Sequence, residues 1–370
     1  MLGSSTKERV FGLDLMRALA IVLVLVGHCL WIFPQSNGIV ASTIRFGSFL
    51  GVEIFFVLSG FLIGKILFEL YTKEDFKIAT VFYFLKRRWF RTLPSYFLVL
   101  LINILIAYYF LYLKSEDWKY FLFLQNFNSE MLPFFPESWS LSIEEYSYLL
   151  LPFALLFFGT IFKVKNKPLF FGVLISALII FFIFLKIRYH FTTLNNDIIK
   201  WNVALKAVVI YRLDSIFWGV LCSWIALNYS FYWKKHKKIL CLMGFLSLGF
   251  GLFGIGYFRL LIGNYSFFWN VFYLPFITVS ISFFLPLLSD WKQTNEVFVK
   301  PILFISTISY SIYLLHYSII LQLLKKWIFI EPQNTIGLSL FTILYLVLTI
   351  FLSYFLYRFY EKPIMDLRDK

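Results

Sequence analysis

Ten apolar runs, each at least 18 residues long, follow one another along this chain, at 11–33, 44–71, 94–113, 140–162, 168–186, 204–227, 239–257, 267–288, 302–324 and 337–358. A run of that length carries a helix across the ~30 Å hydrocarbon core of a bilayer. Inside lipid, a lone segment must bond every backbone amide and carbonyl within itself, which selects the helix. The sequence therefore predicts an all-α, polytopic membrane protein with about ten transmembrane helices. Composition agrees, because 60% of the residues are hydrophobic, beyond the half-apolar make-up of soluble domains.

The net charge of +14 fits either a nucleic-acid partner or membrane orientation. With both termini placed in the cytoplasm, 21 of the 34 lysines and arginines fall on that side and 11 on the other side or its borders. That is the positive-inside pattern, and no RNP-like motif or zinc-finger spacing accompanies it, so no nucleic-acid partner is expected. The first run follows "KERVFG" but lacks a small-x-small cleavage site, so it reads as a retained helix. Residues 1–370 read as one membrane domain with no appended soluble domain. Cys29, Cys222 and Cys241 lie in apolar runs without a C-x-x-C and read as small embedded hydrophobes.

Two connections and one run stand out. Residues 72–94 are basic and amphipathic, which predicts a segment lying along the membrane surface. Residues 114–140 are rich in aromatics and are expected to fold over an outer mouth. The glycines of "GFLSLGFGLFGIGYF" in the seventh run predict close helix packing, since no strand precedes them to make a nucleotide loop. No internal repeat is visible, against a transporter built from duplicated halves.

The first run keeps two ionisable residues, Arg17 and His28. Eleven helical residues turn the chain by ~1100°, so the two side chains lie ~20° apart on one face and ~16 Å apart along the axis. Asp14, three residues before Arg17, can pair with it. Arg17 can snorkel and His28 can be a satisfied packing residue; equally, the pair can line a polar path, because charge at membrane depth is costly and faces an interior cavity. Other polar groups enter the runs at Glu53 and Ser59; at Glu137, Glu144 and Glu145; at Arg212 and Asp214; and at Ser309, Tyr310, Tyr313 and His316 on one helix face. Singly, these read as a structural Arg212–Asp214 ion pair, helix-start carboxylates and interfacial tyrosines. No H-E-x-x-H or G-x-S-x-G occurs, so neither a metal site nor a serine-hydrolase route is expected.

Taken in order, "RALAIVLVLVGH", "GVEIFFVLSGFLIG", "RRWFRTLP", "WSLSIEEYSYLLLP", "RLDSIFWG", "SYSIYLLH" and "YEKP" resemble the integral-membrane acyltransferase family 3 over nearly the whole chain. The chain departs from the family pattern at Ser147-Tyr148, where an aromatic–tyrosine pair is expected, a change read as touching packing more than chemistry. The resemblance implies a multi-pass enzyme of the bacterial inner membrane. Such an enzyme moves an acyl group from cytoplasmic acyl-CoA, foremost acetyl-CoA, to a hydroxyl of an extracytoplasmic carbohydrate or glycan, without a metal.

On that reading Lys86, Arg87, Arg88 and Arg91, with Arg17 nearby, hold the CoA phosphates. His28 serves as general base or as an acyl-accepting nucleophile. Glu144 orients His28 or binds the sugar. Asp14, Glu53, Ser59, Tyr313 and His316 furnish cavity wall, with Arg212 and Asp214 stabilising it. The competing expectation is a proton-coupled transporter or flippase with Arg17, His28, Glu53 and Glu144 as its relay. The partners expected are the bilayer and a glycan acceptor, and the sequence assigns no oligomeric state.

Overall fold

The computed structural model describes residues 9–73, 75–110, 115–331 and 334–368. Among them nine helices are long and apolar enough to cross a membrane: α1 (Phe11–Cys29), α2 (Gly38–Lys73), α3 (Ile78–Tyr109), α4 (Pro136–Ile161), α5 (Lys167–Thr193), α7 (Lys237–Tyr257), α8 (Phe268–Asp290), α9 (Val297–Trp327) and α10 (Thr335–Leu367). A shorter apolar helix, α6 (Leu213–Asn228), completes the series. Each predicted run thus has its helix, and the chain is a polytopic α-helical membrane protein.

The two ends of the bundle are distinct. At one end Gly12 donates its amide to the Trp291 carbonyl at 2.9 Å, and Lys237 pairs with Asp290 at 2.5 Å. At the other end residues 115–135, between α3 and α4, fold onto the bundle. The Val209 amide donates to the Asn126 carbonyl at 2.9 Å, and the Asn126 side chain donates to the Ala207 carbonyl at 2.5 Å. These bonds answer the backbone of a break in the sixth span, where residues 202–206 form a π-turn and Val209–Tyr211 a 3-10 turn before α6 begins. The predicted run 204–227 is therefore a regular helix only from Leu213. Irregular backbone at that depth persists because protein, not lipid, surrounds it.

One expectation changes and another is met only in part. Residues 78–93 do not form a separate surface element; they are the first half of one 32-residue helix that continues through Pro94. Val81, Phe84 and Leu85 face inward while Phe82, Tyr83, Lys86 and Arg87 face out, so the amphipathic pattern sorts core from surface. In the seventh run Gly244 packs closely against Phe284 and Gly251 against Ile277 of α8, while Gly249 and Gly256 meet nothing within 4 Å; the tightest glycine packing is elsewhere. It lies between α2 and α6, where Gly60 abuts the Ile216 carbonyl, Gly64 abuts Val220 and Gly219 abuts the Val57 carbonyl. Small residues let two backbones approach where lipid gives no hydrophobic drive to associate.

A β-carbon at Gly219 would meet backbone, which cannot give way as a side-chain tip can. Gly219→Val should lower stability by about 1–3 kcal/mol, seen as a lower Tm in detergent, whereas Gly256→Ala should leave Tm unchanged or higher.

Candidate functional site

A narrow cavity of about 100 Å³ opens among α1, α2, α3, α4 and α9. Its polar wall is Arg17 from α1, Ser59 from α2, Arg88, Arg91 and Thr92 from α3, Ser140, Glu144 and Tyr148 from α4, and Ser309, Tyr310 and Tyr313 from α9. Phe55, Phe56, Leu58, Leu62 and Leu141 supply much of the remainder. Three guanidinium groups from two helices thus converge inside a membrane-embedded bundle.

Of the four basic residues on this stretch of α3, two belong here. Arg88 and Arg91, three apart, lie ~60° from each other around the helix and both line the cavity. Lys86 and Arg87 do not. They are exposed, with the Lys86 ammonium over the Phe90 ring at 5.8 Å and Arg87 donating to the Tyr83 hydroxyl at 3.1 Å. Arg17 is steadied from behind: its Nη1 donates to Asp14 Oδ1 and Ser306 Oγ, each at 3.3 Å, and Ser306 Oγ donates to Asp14 at 2.7 Å. Asp14 is consequently a buried anchor for Arg17 and not a cavity wall.

Glu144 sits in this cavity and not with His28. Its Oε2 accepts from the Tyr148 hydroxyl at 3.1 Å, and that hydroxyl is 2.7 Å from Ser59 Oγ. Tyr148, read in the sequence as a packing departure, is a wall residue bonded to the cavity's carboxylate. Around it the frame is closely tied. Thr92 Oγ1 donates to Glu145 at 2.8 Å, Tyr310 donates to the Thr92 carbonyl at 2.8 Å, and Ser311 donates to Glu361 at 2.7 Å. The "YEKP" stretch therefore buttresses α9 through Glu361.

His28 lies beyond the cavity, toward the C-terminal end of α1. Its Nδ1 is 2.8 Å from the Val24 carbonyl, and a carbonyl only accepts, so Nδ1 carries the hydrogen and Nε2 presents a lone pair. His316 does the same against the Tyr313 carbonyl at 2.8 Å. The two imidazoles meet edge to face with centroids 4.7 Å apart, and the Tyr313 ring lies 5.7 Å from that of His316. His316 is fully buried, and its Nε2 has no hydrogen-bond partner among the described residues. A π-turn over His316–Leu321 re-aims this stretch of α9, a distortion found often at functional sites. Glu137 fastens it: Oε1 accepts from Ser318 N and Oγ at 3.0 and 2.6 Å, while the Glu137 carbonyl accepts from the Tyr313 hydroxyl at 2.9 Å.

The remaining predicted wall residues form a separate, fully buried cluster. Arg212 does not pair with Asp214. It bonds Glu53 of α2, while Asp214 bonds Lys186 of α5 at 2.5 Å. Arg212 precedes the first residue of α6, and two residues turn a helix ~200°, so the two charges face opposite neighbours. Neither they nor Glu53 line the cavity. Lys186 went unselected in the sequence, although a lysine at the end of an apolar run was itself a signal. Among the described residues no group of histidines, cysteines and carboxylates is placed to hold a metal ion.

Comparison with known proteins fits this geometry. A family model described as "Acyltransferase domain" matches residues 10–358. O-acetyltransferase OatA of Staphylococcus aureus strain NCTC 8325 / PS 47 is 27% identical over 375 residues, covering 95% of this chain and 57% of that protein. Peptidoglycan O-acetyltransferase OatA of Listeria monocytogenes is 27% identical over 344 residues, covering 85% of this chain and 50% of its own length. The chain thus spans about half the length of the curated relatives it matches. No solved structure matches it significantly.

Asp214→Asn would leave the Lys186 ammonium buried without its counter-charge, at a cost of about 3–5 kcal/mol. Tm in detergent should fall steeply, and replacing both partners by Lys186→Met and Asp214→Leu should recover most of the loss.

Proposed function

The chain belongs to the acyltransferase family 3, and on that premise we propose that it is a bacterial cytoplasmic-membrane O-acetyltransferase, taking acetyl from cytoplasmic acetyl-CoA to a glycan hydroxyl beyond the membrane. The observation that carries the reading is the convergence of Arg17, Arg88 and Arg91 on one cavity that ends at Tyr313, next to the His316–His28 pair. The names of the Staphylococcus and Listeria relatives support acetyl as the group and a glycan as the acceptor.

The steps follow from the residues. Guanidinium forks suit the phosphate oxygens of a CoA donor, so Arg88, Arg91 and Arg17 hold the donor's anionic end. The cavity's narrowness favours a short acyl group lying toward Tyr313. The acceptor hydroxyl gives its proton to the lone pair on His28 Nε2 as its oxygen attacks the thioester carbonyl. A C–O bond forms, the C–S bond breaks, and the leaving thiolate takes the proton back from His28. His316 packs edge-on against that ring and acts as a positioning residue. Glu144, hydrogen-bonded to Tyr148, offsets the positive wall when no donor is present and keeps the guanidiniums inside the cavity.

The test supplies acetyl-CoA together with a soluble glycan acceptor, the N-acetylglucosamine–N-acetylmuramic acid disaccharide, to purified protein in detergent and follows free CoA by mass spectrometry. His28→Ala should lower kcat by about 10²–10⁴-fold, the usual loss of a general base. Arg91→Ala should raise KM with kcat little changed, the mark of lost ground-state binding, while Lys86→Ala stays near wild type. CoA release that is absent in the wild type, or undiminished in folded His28→Ala, overturns the reading. Tyr148→Phe is a second test. It keeps the ring and removes the hydroxyl between Ser59 and Glu144, so activity should drop about tenfold while Tm is held.

A further inference from the structure

One turn beyond Tyr313 along α9, a second hollow of about 470 Å³ opens at the end of the bundle where α1 finishes. Its wall includes Asn103, Phe134, Tyr317, Gln322, Lys325 and Lys326. The Tyr317 ring stands edge-on to His28 with centroids 5.0 Å apart, so the hollow begins where the imidazole pair ends. We propose that this hollow seats the acceptor glycan and selects one that carries an anionic substituent, an inference that rests on the acetyltransferase reading.

The volume is that of a small-molecule site, and the mixture of ring faces with a few amides is how such sites orient a polar ligand. Phe134 and Tyr317 offer apolar surfaces for the C–H face of a sugar ring, and Asn103 and Gln322 offer amides for its hydroxyls. The lysines set the charge. Lys325 Nζ donates to the Trp31 carbonyl at 3.1 Å, and Lys326 Nζ lies 3.3 Å from the centroid of the Phe110 ring. Both partners are neutral, and among the described residues no carboxylate pairs with either lysine. Each ammonium is thus held in place with its full charge available, and Lys325 uses only one of its three donors on Trp31. Glu137 marks the boundary between hollow and cavity, with its carbonyl on Tyr313 and its carboxylate on Ser318. Donor and acceptor would thus approach the histidines from neighbouring compartments.

The experiment measures binding to the full chain in lipid-free detergent micelles. The probes are the N-acetylglucosamine–N-acetylmuramic acid disaccharide, which bears a carboxylate, and N,N′-diacetylchitobiose, which does not. The acidic disaccharide should bind at least tenfold more tightly. The double variant Lys325→Gln/Lys326→Gln should erase that preference and leave chitobiose affinity unchanged, while Tyr317→Ala should weaken both ligands. Binding of neither, equal binding of both, or a preference that survives the double variant overturns the proposal; the last two are the results expected if the lysines serve lipid phosphates alone. CoA release from acetyl-CoA, followed on the same samples, separates the two readings. Release without disaccharide binding removes the hollow from the mechanism and leaves the transferase standing. A lysine-dependent preference without release supports the glycan site and removes the transferase chemistry.

Discussion

Lipid solvates neither charge nor backbone, and most of this bundle's internal arrangement follows from that refusal. Polar groups carried into the membrane are costly unless other polar groups of the same chain meet them. The cluster of Glu53, Arg212, Lys186 and Asp214 is the balanced case: two cations and two anions, fully buried, joined pairwise across α2, α5 and α6. The cavity is the unbalanced one. Three guanidiniums share its wall with one carboxylate, Glu144, and Asp14 stands behind Arg17. Excess positive charge in a low-dielectric pocket is a standing attraction for an anion, and that contrast separates the proposed binding centre from the structural core.

Much of the fold was legible because span length and charge asymmetry are coarse, strong signals. All ten runs became helices, and residues 115–135 pack against one bundle end. Within the site, legibility was partial. Arg17, Arg88 and Arg91 line the cavity while Lys86 and Arg87 face out, yet Arg87 and Arg91 lie only ~40° apart around the helix. Neither a tally of basic residues nor the helical period separates these sets; the packing of α3 against its neighbours does.

What escaped the sequence depended on tertiary partners. Arg212 and Asp214 are two residues apart and read as a pair, yet each meets a helix distant in the chain. Tyr148 passed for packing because its meaning lies in Glu144 and Ser59, which no local pattern reveals. Ser140 and Thr92 enter the wall for the same reason: a serine or threonine in an apolar run is common, and only its neighbours make it polar lining. The seventh run packs at Gly244 and Gly251 but leaves Gly249 and Gly256 in open space, while three glycines outside it bring α2 and α6 together.

Glu137 gives the bundle a mechanical property of its own. One residue at the head of α4 grips α9 at two levels, Tyr313 below and Ser318 above, across the turn where that helix departs from regular winding. Ser140, one turn on, adds a bond to the Tyr313 hydroxyl at 2.5 Å. This stretch of α9 is therefore latched to the head of α4 by main chain and side chains together, and a load placed on the loop that precedes Glu137 is passed to the partition between the two chambers.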